Sequence, residues 1–195
     1  LPGQNDKQFK GYLLVHDAGD AFLGQKADDA YLLDENGKRV HTWKNKGYSP
    51  EGSVAYLLEN GQLLRTYSKY GWIYDKQFPV STTTTIELVD WEGKVLWDYT
   101  QIVPQKFGFH HDVDYMPNGN ILAIAYNGYT LEEMAALGWD RKLGEKAAYK
   151  TKNNPNKNDV IWMCNIVELQ PNLEDGSTKI VWQWNSWDHL VQNKY

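Results

Sequence analysis

Cysteine is almost absent from this sequence. Cys164 stands alone, so no disulfide can close within the chain. Flanked by Met163 and Asn165, it reads as a small buried apolar residue rather than a nucleophile. The lack of disulfides points toward a cytoplasm without excluding export, since many large exported β proteins do without them. No apolar run approaches the about 20 residues that cross a bilayer as a helix, so no membrane span is expected. Basic charge is scarce as well. Lys and Arg number 20 against 25 Asp and Glu, giving a net charge of -5. No basic stripe of the density that nucleic-acid binding requires is present, so no nucleic-acid partner is expected. G-x-S-x-G, the P-loop and the dinucleotide fingerprint are all missing, and no cofactor is expected. Neither H-x-H nor H-x-x-x-H occurs, so no metal site is expected either. The chain begins at Leu1 rather than Met, which fits a removed leader or a start lying upstream.

Aromatic residues, in contrast, are plentiful, with 9 Trp and 13 Tyr. Strands and aryl- or carbohydrate-binding clefts use such residues freely. They are spaced by turn signals. Asn36-Gly37, Asn60-Gly61 and Asn118-Gly119 each divide two apolar, β-branched runs, and Asn-Gly suits a type I′ turn. Glu92-Gly93 and Asp175-Gly176 take similar places. The five hairpins fall into two kinds. YLLDENGKRVHTWK (31–44), IELVDWEGKVLWDYT (86–100) and IVELQPNLEDGSTKIVWQWN (166–185) carry a Lys, a Val and a Trp after the turn. YLLENGQLLRTYS (56–68) and VDYMPNGNILAIAYN (113–127) have the more apolar second strand, ending in Tyr. The kinds alternate at nearly constant spacing, which predicts an all-β chain of β-propeller blades; a meander or sandwich with similar turns is the alternative. Only about two and a half to three blades are encoded, whereas propellers close with about four to eight. The remainder is expected from further sequence or from another subunit, a homo-oligomer being one way to supply it.

Residues 129–159 interrupt the pattern. Thr130 is placed to cap a helix running through Glu132 and Met134 to a stop near Gly138, followed by a solvated Lys/Asn-rich loop. The whole of 1–195 is thus read as one partial propeller domain with a short helical insertion.

Two clusters carry the chemistry. In FGFHHDVDYMPNGN, regular strand alternation puts His110 and Asp112 on one face, with Asp112 close enough to orient the imidazole, and His111 on the other. Only one histidine then belongs to a given site unless the backbone turns, which Gly108 would permit. Near the other end, IVWQWNSWDHL sets His189 beside Trp182, Trp184 and Trp187, either as an anion or aryl pocket or as a packed rim. His41 reads as a packing or surface residue.

In order and in wording, YLLDENGKRVHTWK, SVAYLLENGQLLRTYS, IELVDWEGKVLWDY, HHDVDYMPNGNILAIAYN and IVWQWNSWDHLVQ resemble the bacterial arylsulfotransferases. The resemblance spans residues 31–192 apart from the insertion. It implies a six-bladed propeller, exported to the periplasm or cell surface. The implied reaction moves a sulfuryl group from an aryl sulfate to a phenol through a histidine intermediate. His111, His110 and Asp112 then match a supporting channel site, with His111 the foremost. His189, Trp187 and Arg65 match recurring positions that serve as substrate-binding candidates. The family's nucleophile lies in its second half, outside this chain. A non-catalytic propeller for binding or assembly is the competing expectation.

Overall fold

Four of the hairpins turn on one backbone device. In the computed structural model, which describes residues 10–16, 29–47, 53–69, 82–101, 103, 106–142 and 160–189, Gly37, Gly61, Gly93 and Gly119 take left-handed φ values of 77, 82, 83 and 83°. Their amides donate to the carbonyls three residues back, on Asp34, Leu58, Asp90 and Met116, at 2.9–3.1 Å. The residue before each glycine keeps a negative φ, because His111 is the only non-glycine with positive φ among the described residues. These are therefore type I turns followed by a left-handed Gly, not the type I′ turns that Asn-Gly predicts. The difference has a cause in the side chains. Asn60 and Asn118 accept from the amides of Gln62 and Asn120 at 3.0 Å, and Asp34 accepts from Asn36 and Lys38 at 2.9 Å. A short acceptor oxygen closes the turn in this way without its own backbone turning left-handed. The fifth turn is one residue longer, with the Gly176 amide reaching the Asn172 carbonyl at 2.9 Å.

The strands form three antiparallel sheets. The first is β1 (Leu13–Val15), β2 (Ala30–Leu33) and β3 (Arg39–Trp43), in that order. The second has the order β4 (Ala55–Leu57), β5 (Leu63–Tyr67), β7 (Thr85–Val89), β8 (Val95–Thr100). Between β5 and β7 in sequence lies β6 (Thr82–Thr83), which pairs not in its own sheet but with the third. The third runs β12 (Thr178–Asn185), β11 (Val160–Pro171), β10 (Ile121–Thr130), β9 (Phe107–Tyr115), β6. The hairpins β2–β3, β7–β8 and β11–β12 share a further detail: the outgoing strand skips one residue, Val40, Leu96 or Val181, at the matching place.

The sheets stack face on face in chain order. β5 and β7 are buried along their whole length, so the second sheet is covered on both faces. On one side Leu63 and Val89 meet Ala30, Leu32 and Trp43 of the first sheet. On the other, Leu64, Ile86, Leu88 and Trp97 meet Phe109, Val113, Ile121, Ala123 and Leu169 of the third. Each fully buried Leu or Ile contributes about 1.5–3 kcal/mol. Aromatic nitrogens tie the layers together: Trp43 Nε1 donates to the Asp90 carbonyl at 3.0 Å, and Trp97 Nε1 to Thr178 Oγ1 at 3.0 Å.

The helical insertion begins as the sequence leads one to expect. Thr130 caps α1 (Leu131–Ala136), Glu133 returns the capping box, and Gly138 leaves with φ 93°. β10 runs two residues into it, ending at Thr130, which pairs with Val160 at the start of β11. The Lys/Asn-rich part, 143–159, lies outside the described residues. Cys164 departs from expectation. It sits exposed on β11, because it faces away from the stack while its neighbour Asn165 is buried. No helix among the described residues is long and apolar enough to cross a membrane.

Candidate functional site

His110, His111 and Asp112 occupy a fault in the third sheet. Phe109 pairs with Ala125 and Val113 with Ala123, so three residues of β9 lie opposite one residue of β10, where a regular ladder holds one. Phe109 and Val113 both remain in the core. The chain takes up the surplus at His111, whose φ is 60°. The break expected near Gly108 therefore comes at the histidine itself, and Gly108 is not among the positive-φ glycines. A left-handed backbone costs a non-glycine residue about 1–2 kcal/mol, and such strain collects at functional sites. Replacing His111 by Val is expected to lower stability by about 1–2 kcal/mol, while His111→Gly lowers it not at all, as urea denaturation would show.

The bulge separates the two imidazoles. His110 is only 5% exposed and stacks on Tyr126 with ring centroids 3.5 Å apart and planes 3° from parallel. Neither of its ring nitrogens makes a well-formed hydrogen bond. Burial draws its pKa down to about 4; the adjacent His111 adds to the fall and the Ala125 backbone opposes it. The ring is therefore neutral at physiological pH. His111 is exposed, its ring centroid 4.9 Å from that of His110. Asp112 does not orient an imidazole. Its Oδ1 accepts from the Tyr56 hydroxyl at 2.7 Å and from the Val113 amide at 2.9 Å. The Asp112 carboxylate, with partial burial, pushes the Tyr56 phenol up to about 12. Beside this pair Asp112, Asp114, Leu122, Ile124 and Ile166 line an open groove of about 240 Å³.

The other candidates lie elsewhere. Arg65 is 2% exposed and ion-paired with Glu87, with Nε donating to Glu87 Oε1 at 2.6 Å and Nη2 to the Lys44 carbonyl at 2.9 Å. It sits on the face of β5 turned to the first sheet and serves the stack. Trp187 packs with Met134, Tyr129 and Trp139 and anchors the helical insertion. His189 ends a short 3-10 turn, Ser186–His189, and stacks on Trp184 at 4.9 Å. His189 rests on Trp184 of β12 and His110 on Tyr126 of β10, so the two histidines stack on different strands. His41 packs as expected, stacked on Trp91 at 3.9 Å with Nε2 donating to the Trp91 carbonyl at 2.8 Å.

Sequence reasoning missed Tyr56, Tyr126 and Glu87. Glu87 left one signal, an acid inside the apolar run IELV. No cluster of three or more His, Cys, Asp or Glu able to hold a metal occurs among the described residues. No family model, curated protein or solved structure matches this chain.

Proposed function

We propose that the chain is part of a β-propeller that transfers a sulfuryl group from an aryl sulfate to a phenol, with His111 a supporting residue. The observation that carries the reading is the strained, exposed imidazole of His111 on the bulge. Its N–H is free to donate to a sulfuryl oxygen, where charge builds in transfer. The neutral His110 ring and Tyr126 back it with an apolar wall. The nucleophile is an imidazole from outside this chain. Its nitrogen bonds to sulfur as the S–O(aryl) bond breaks, and the electron pair leaves on the phenolate. The acceptor phenol then gives up its proton, to the departed phenolate or to water, and its oxygen attacks sulfur. The N–S pair returns to the imidazole. The same reading takes the complete protein to be six-bladed and exported to the periplasm or cell surface.

One observation favours a second reading. Arg65 is committed to Glu87, and Asp112 and Asp114 follow His111 on β9, so the neighbourhood is poor in positive charge. A non-catalytic module that binds neutral aryl groups would tolerate this. NMR of the His111 imidazole in this chain separates the two. 4-Nitrophenyl sulfate is expected to shift it and 4-nitrophenol much less, with His111→Ala weakening binding about tenfold, or about 1.4 kcal/mol. Equal effects of both compounds would favour the aryl-binding module, and no shift with either would overturn both readings.

A further inference from the structure

We infer that the outward face of the third sheet docks the first sheet of a second copy of this chain, head to tail. The inference rests on the stacking within the chain and not on the transfer chemistry, so either can fail without the other.

Register equates positions from sheet to sheet. Leu32 pairs with His41, Leu88 with Trp97 and Glu168 with Trp182; Ala30 pairs with Trp43, Ile86 with Tyr99 and Ile166 with Trp184. In the first two sheets these are the residues that cover the following layer. Ala30, Leu32 and Trp43 are buried against the second sheet, and Ile86, Leu88 and Trp97 against the third. The His41–Trp97–Trp182 position is a hook onto the next sheet. His41 donates to the turn residue Trp91, and Trp97 donates to Thr178 just past the next turn. Trp182, the third of the series, is 48% exposed. Around it Leu122, Ile124, Ile166 and Trp184 are only half-buried and belong to no buried cluster, and the open groove of about 240 Å³ lies among them. The third sheet thus carries the covering face of its predecessors with no covered layer among the described residues.

The first sheet carries the opposite deficit. Leu13 pairs with Leu33 as Leu63 pairs with Val89 and Ile121 with Leu169. Leu63, Val89, Ile121 and Leu169 are all buried under the preceding sheet, whereas Leu13 is 62% exposed and Leu33 half-buried. One end of the stack therefore presents what the other end is built to receive. A second copy supplies both surfaces at once. Such a contact is heterologous, and it closes a ring or runs on as a fibre. Two copies bring six sheets, within the about four to eight on which radial sheet stacks close.

Sedimentation equilibrium of the chain, with Trp182→Asp and Leu13→Asp as variants, tests the inference. Both side chains are exposed, so the variants are expected to keep the wild-type circular dichroism and, at concentrations too low for association, the wild-type melting transition, which shows that any loss concerns association. The expected result is a two-copy species for the wild type and at least a tenfold weaker association for each variant alone. A wild type that stays at 22.5 kDa across the micromolar range overturns the proposal. So does an association that Trp182→Asp weakens and Leu13→Asp leaves intact, since two third sheets would then be meeting face to face. Unaltered association in both variants overturns it as well.

Discussion

Replacing Glu87 by Ala is expected to lower stability by about 3–5 kcal/mol, a fall in Tm of about 10 °C. The reason is what remains behind. Arg65 would keep its charge at 2% exposure, between the first and second sheets, with the Lys44 carbonyl as its remaining partner. A guanidinium cannot shed its proton to escape. The converse change supports the same account: replacing Arg65 and Glu87 together by Met and Leu removes both charges and is expected to cost little or to stabilise. Urea denaturation of the single and double variants gives the comparison directly. If Glu87→Ala costs under about 1 kcal/mol, the pair is reached by water and does not hold the two sheets together.

Acidification is expected to weaken the fold between pH 6.5 and about 4 by about 2–3 kcal/mol, through His110. In the unfolded chain its imidazole takes up a proton near pH 6.5; buried against Tyr126 it does so only near 4. Between those values the unfolded state binds more protons, so stability rises with pH across the window and is complete above it. The full shift corresponds to about 3 kcal/mol, and solvent near the bulge reduces it toward 2. His110→Phe keeps a flat ring on Tyr126 and removes the titration. The measured slope of stability against pH is expected to flatten in that variant, whereas His111→Phe removes only the smaller of the two causes and should keep most of it. An unchanged slope in His110→Phe would place the acid sensitivity elsewhere.

The strand plan was legible because glycine is. At each of the five turns the backbone requires a left-handed residue, and the apolar runs on either side fix which strands pair. The type of turn was not legible, since it depends on whether Asn bends its backbone or lends its side-chain oxygen. The bulge escaped for a different reason. Two surplus residues in β9 preserve parity: Phe109 and Val113 fall on the same face whether the ladder is regular or broken, so period-two reading passes over the fault without a signal. Arg65 misled because its partner lies on β7, in another hairpin. A lone arginine in an apolar run looks available until the register sets Glu87 opposite it. Trp187 and His189, adjacent in sequence to other aromatics, separate because the 3-10 turn sends one toward the insertion and the other back to Trp184.

A stack of sheets ordinarily opens one layer at a time, since each layer touches only its neighbours. The short β6 strand changes that for two of them. It leaves the second sheet's stretch of chain and pairs with the third, Thr82 opposite His110 and Thr83 opposite Phe109. The second and third layers are therefore sewn together at the point where the neutral imidazole is hidden. Breaking that seam would let water and a proton reach His110, and a protonated His110 would resist being sewn back. The shortest strand among the described residues thus ties these two layers at His110, and its release and acidification are expected to favour one another.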